Sequence, residues 1–310
     1  MVCVTVCNVC GAPLRKGYVA ADAGWVAHLD LEALKATQVG AFVVRQLRTS
    51  DQERRAGAFR SLFAFDPRDD IRSVTAYGTT GKAGHGVMLF VGQFDAGKLV
   101  ASLARNAAYT NETYKGDAIH AWTERVPTNE APAGALAGGV ARRYGAVLPP
   151  GLAMVGESAE WVKCALDVYR GRRAPLAAGS ALERLIPRQP LPFFIAGREL
   201  QSAAPGDSTG QSNGSALTGL RSAVLGAAES DGQFLADVVL VAKDEAAAAH
   251  LQMVVQGLMA MALLNQQTDQ RFAAFLRAVS CTAAKEKVQL NVRWPAEDLV
   301  RLLEAKASAK

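Results

Sequence analysis

The sequence holds little histidine, little charge and few aromatic rings. Its four histidines, His28, His85, His120 and His250, include no i, i+4 pair, so a helical metal site of the His-Glu-x-x-His kind is excluded. No Ser-x-x-Lys pair occurs, which removes one serine-nucleophile signature. Charged residues amount to 20% against 50% hydrophobic, with 28 glycines, and that balance excludes a disordered chain, a coiled coil and collagen. Aromatic residues reach only 7%, and the short basic clusters Arg54-Arg55, Arg142-Arg143 and Arg170-Gly-Arg-Arg173 have none interleaved. A stacking groove for single-stranded nucleic acid needs both, so these clusters, within a net charge of +5, read as solvated surface and no nucleic-acid partner is expected.

Five cysteines give no readable disulfide framework. Cys164 and Cys281 stand singly in apolar segments, where a free thiol packs as a small hydrophobe. Cys3, Cys7 and Cys10 have the three-thiolate spacing of the cluster loop in radical S-adenosylmethionine enzymes, and they are the weak candidates for a metal or iron–sulfur site. That loop follows a barrel strand, whereas this chain patterns as paired hairpins, and a structural zinc site needs four ligands with no second cysteine pair in view. Residues 1–20 are therefore expected to be a leader or a disordered tail, with no cofactor bound. The segment is apolar first and basic afterwards, the reverse of a secretory signal, although Ala20-Ala21-Asp22-Ala23 would suit a cleavage site.

Beyond residue 20 the chain reads as strands and helices in alternation. Trp25–Asp30 is a β-type run whose alternation puts Val26, His28 and Asp30 on one face, and Asp30 caps a following helix. His28 and Asp30 could thus share the edge of a cleft, which is one alternative as an enzyme site. A strand histidine bonded into its own surroundings is the plainer reading. A helical piece is expected around Arg55–Phe65. Ile71–Gly78 and Val87–Phe94 form a hairpin across a glycine-rich loop in which Lys82 is followed by Ala83 and a strand, unlike a Walker loop. Asp95 caps the helix after it, strands are expected near Tyr114–Trp122, Ala141–Val147 and Leu152–Val155, and Ser158 caps Ala159–Tyr169.

The same order returns after the proline-punctuated stretch Ile186–Pro192. Leu220-Arg-Ser-Ala resembles Ile71-Arg-Ser-Val, and Asp244 after an apolar strand resembles Asp95, both at an offset of 149 residues. Pro295-Ala-Glu-Asp-Leu likewise echoes Ser158-Ala-Glu-Trp-Val. The reading is a diverged tandem repeat: a first α+β unit over 21–186 and a second over 190–310, each an antiparallel sheet with helices on one face, related to ferredoxin-like packing. Gly206–Ser215 is expected as a polar loop. Ala246–Leu264 approaches the roughly 20 residues that span a bilayer, but His250, Gln252, Gln256 and a high alanine content argue for a buried amphipathic helix and against a transmembrane one.

Asp22-x-x-Trp25-x-x-His28-x-Asp30, Tyr114-Lys-Gly116-x-x-Ile119 and Gln256-Gly-Leu258 resemble an uncharacterised bacterial family of exported or envelope-associated proteins, from about Ala21 onward. The resemblance implies a duplicated α+β domain in a periplasmic or envelope location. Together with the missing acid, base, nucleophile and metal sets, the expectation is a non-enzymatic binding or structural protein. Its partner is an unknown ligand or protein bound between similar domains, or a second copy in a homo-oligomer. The alternative is an enzyme working through Cys3, Cys7 and Cys10 or through His28 and Asp30.

Overall fold

The computed structural model describes residues 11–46, 66–79, 86–125, 140–200, 219–264 and 270–308. The expected helix at Arg55–Phe65, most of the glycine-rich loop with Lys82 and His85, the polar loop Gly206–Ser215, and Cys3, Cys7 and Cys10 lie outside them. The strands are β1 (Trp25–Asp30), β2 (Ile71–Gly78), β3 (Gly86–Gly92), β4 (Thr110–Tyr114), β5 (Asp117–Arg125), β6 (Val140–Leu148), β7 (Leu152–Gly156), β8 (Phe193–Arg198), β9 (Leu220–Ser230), β10 (Gln233–Ala242), β11 (Val279–Ala284) and β12 (Lys287–Pro295). The helices are α1 (Leu31–Lys35), α2 (Gln38–Gln46), α3 (Pro67–Asp70), α4 (Ala96–Leu103), α5 (Ala159–Tyr169), α6 (Glu245–Leu264), α7 (Gln270–Ala278) and α8 (Ala296–Ser308).

Local chemistry sets the element ends. Carboxylates of Asp30, Asp95 and Asp244 accept the backbone N–H groups of Ala33, Lys98 and Ala247 at 2.9, 3.0 and 2.7 Å, and Ser158 Oγ accepts from Trp161 at 3.4 Å. Each satisfies one of the orphan donors of a helix start. The turn between β9 and β10 is Asp231-Gly232, with φ of +52° and +70°, and Lys115-Gly116 at +50° and +90° makes the same kind of turn between β4 and β5. Both central residues at positive φ match the right-handed twist of the flanking strands. The strand expected over Tyr114–Trp122 is therefore two strands, folded back at Lys115-Gly116.

All twelve strands form one antiparallel α+β sheet, in the order β11-β12-β10-β9-β8-β1-β2-β3-β7-β6-β5-β4. This corrects the expectation of a separate sheet in each unit. Val26 lies opposite Tyr77 on one side and Ala196 on the other, so β1 and β8 weld the halves through backbone hydrogen bonds. Outward from that seam, β1-β2-β3-β7-β6 and β8-β9-β10-β12-β11 follow the same chain order, and the first half adds the β4–β5 hairpin at its rim.

Helices occupy both faces, which corrects the one-face expectation. The cross-strand row Val26–Ala196–Val224 belongs to a cluster that α5 covers with Val162, Ala165 and Leu166. The neighbouring row Ala27–Ile195–Leu225–Val238–Leu290 points the other way. Its far end joins a second cluster, where Ala248 and Leu251 of α6 cover Val288. A strand whose two faces are both apolar asks for cover on both, as β1 does with Trp25, Ala27 and Leu29 against Val26.

Candidate functional site

His28 and Asp30 do share a face, and both are buried, at 2% and 3% exposure. His28 Nε2 lies 3.2 Å from the Ala12 carbonyl and Nδ1 2.9 Å from Thr75 Oγ1. A carbonyl only accepts, so Nε2 carries the proton and Nδ1 accepts from the threonine hydroxyl. Burial holds the His28 pKa below its ordinary value, against the opposing influence of Asp30 and the Ala12 carbonyl. Asp30 Oδ1 is engaged as the cap of α1. Both ring nitrogens thus serve the fold, tying residue 12 to β1 and β2.

Among the described residues no group of three or more His, Cys, Asp or Glu side chains is placed to hold a metal ion. Cys164 and Cys281 are half-buried within the two apolar clusters, and burial pushes both thiols up, away from thiolate chemistry.

Two further polar assemblies escaped sequence reasoning because their members are far apart in the chain. In the first, Arg170 and Arg172 reach Asp117 at 2.6 and 3.4 Å, while Arg172 and Lys115 reach Asp167 at 2.7 and 3.0 Å. Partial burial works to raise the Asp167 pKa. Hydrogen bonds from Arg172, Lys115 and Tyr114 overcome it and bring the group to about 2. The assembly pins the β4–β5 turn to the end of α5, where cations also suit the helix dipole. The second is a cleft of about 230 Å³ beside α5, with Glu112, Ile119, Arg142, Tyr144 and Lys163 among its lining residues. Lys163 pairs with Glu112 and Glu160 at 3.2 and 3.3 Å, and Arg142 donates to Thr110 Oγ1 at 3.1 Å above the Tyr144 ring. Each cation there already has a partner within the fold.

The helix α6 is different. It forms where the apolar run predicted one, 20 residues long with a mean hydropathy of 1.5 over its best window, but only 11% of that window is buried. The expected burial holds for Ala248 and Leu251 alone. Met253, Leu258, Met261 and Leu264 are 62, 61, 69 and 80% exposed. Gln252 is engaged through its side-chain amide, which donates to the Cys281 carbonyl at 3.3 Å. Over the last three turns, 253–264, Gln256 is the only polar residue. At 100° per residue the four exposed large side chains spread over an arc of about 140°, with Ala248 on the far side and Leu251 just beyond the Leu258 edge of the arc.

The sequence matches no protein-family model and no curated protein. Among solved structures, crystal form III of TP0453 superposes with a TM-score of 0.51 at 8% identity, covering 95% of this chain and 98% of that one. Crystal forms I and IV of the same protein give TM-scores of 0.48 and 0.47 at 8% identity, with 95 and 94% of this chain covered. At that identity the likeness speaks for the fold alone: an α+β chain, 95% of which is covered by a solved architecture.

Proposed function

We propose that this chain is a non-enzymatic binding protein of the bacterial cell envelope, built from a duplicated α+β unit, whose working surface is α6 seated on a lipid layer. One observation carries the reading: a helix apolar around most of its circumference is covered by the protein on one side only. Such helices normally belong in apolar surroundings. The length, at 1.5 Å per residue, is about 30 Å. Lying flat, α6 would set Met253, Leu258, Met261 and Leu264 into the acyl boundary, each contributing about 1.5–3 kcal/mol when fully removed from water. A net charge of +5 favours approach to an anionic surface.

The duplication is supported by the 149-residue offset in sequence and by the matched strand order on either side of the β1–β8 seam. The envelope location rests on the sequence resemblance and on α6. A catalytic role has less behind it, because His28 and Asp30 are engaged by the fold.

Flotation with vesicles tests the reading. The purified chain should float with phosphatidylcholine–phosphatidylglycerol vesicles, less with phosphatidylcholine alone, and the double variant Leu258→Asp, Met261→Asp should lose at least tenfold in partition. A chain that stays at the bottom of the gradient, or a double variant that floats as well as the parent, overturns it.

A further inference from the structure

Among the described residues the sheet is open, with two rims, β4 and β11. A rim strand presents a row of backbone N–H and C=O groups that can template a further strand, and proteins usually block it with charge, proline or a bulge. The two rims differ. At β4 the central residue is Glu112, whose carboxylate reaches Lys163, and antiparallel pairing about that residue would set it against its own copy. By contrast β11, Val-Ser-Cys-Thr-Ala-Ala, has no charge and no proline, and its register with β12 runs from Val279 to Ala284 without a bulge. Among the described residues no strand pairs with its outer side.

We infer that β11 pairs antiparallel with β11 of a second copy, joining two sheets about a two-fold axis. The strand is suited to itself. In a continuous sheet the faces are preserved, so partners must share a face and the axis passes through a residue, Cys281 or Thr282, near the middle of the strand. With the axis at Cys281, Val279 meets Ala283 and Ser280 meets Thr282; with it at Thr282, Ser280 meets Ala284 and Cys281 meets Ala283. Every such pair is small and uncharged, and Ser280 and Thr282 face solvent on the side away from α6. The same operation keeps both copies of α6 on one face, flanking the axis. Dimerisation would therefore gather two lipid-facing helices onto one platform, although the pairing itself does not depend on the lipid reading.

Two measurements on the full chain decide it. Sedimentation should give twice the 32.7 kDa monomer mass, and Ser280→Lys with Thr282→Lys, which sets four like charges across the axis, should return a monomer with an unchanged circular dichroism spectrum. Separately, Thr282→Cys in a chain whose own cysteines are replaced should cross-link through a short bis-maleimide, since either register holds the two positions within about 8 Å. A monomer at every accessible concentration overturns the inference, as does a dimer indifferent to the lysines and silent to the cross-linker. Flotation of the lysine variant keeps the two readings apart: a monomer that still floats retains the α6 reading whatever becomes of the dimer, and a dimer that never floats does the opposite.

Discussion

The buried imidazole of His28 has a definite consequence for acid stability. Its folded pKa lies below the ordinary 6.5, so between the two values the unfolded chain binds more protons than the folded one. Stability then rises with pH through that window and is fully present above about 6.5. His120, buried with Nδ1 2.8 Å from Tyr109 Oη, is displaced the same way. Urea midpoints should fall as pH is lowered from 7 to 5, and His28→Gln should flatten that slope. An unchanged slope in the variant would assign the dependence elsewhere. Tyr77 makes the opposite kind of prediction. Its hydroxyl is fully buried with no hydrogen-bond partner among the described residues, and burial pushes its ionisation far up. Removing an unsatisfied buried hydroxyl relieves its desolvation, so Tyr77→Phe should be neutral or stabilising by about 1 kcal/mol, read as a higher urea midpoint at constant slope.

At the scale of the element, what was legible in the sequence is what short-range chemistry decides. Asp30, Asp95, Ser158 and Asp244 were readable as caps because each acts on a donor three residues away. The pairing of Ile71–Gly78 with the strand after the glycine loop was readable for the same reason. The turn at Lys115-Gly116 was missed because a lysine at positive φ carries no strong signal of its own. The helix α6 is legible in the sequence, and its exposure is not. Apolar count says that a helix wants cover, whereas the supply of cover depends on strands remote in sequence, here β10, β11 and β12, which shield one flank. The candidate site was thus present in the sequence as a helix and invisible as a surface.

At the scale of the whole molecule, the seam between β1 and β8 was not legible in the sequence. Leu29 and Phe193, a facing pair across β1 and β8, are separated by more than 160 residues, and nothing local announces such a pairing. The two-faced covering was hidden for a related reason. Alternation in β1 separates Val26, His28 and Asp30 from Trp25, Ala27 and Leu29, yet does not say which set a helix will reach. With backbone hydrogen bonds crossing from Trp25–Leu29 to Phe193–Gly197, neither half can melt without stripping the other. The chain should unfold in a single calorimetric transition whose van't Hoff and calorimetric enthalpies agree. Two resolved transitions would mean that the halves are independent bodies.

The position of β1 gives damage there a special character. It stands in the middle of twelve strands, so loosening it would uncover a raw ladder on β2 and another on β8 at the same moment, each long enough to recruit a stranger. Mishaps in that one strand would be expected to end in tangled polymers sooner than in a quietly weakened fold.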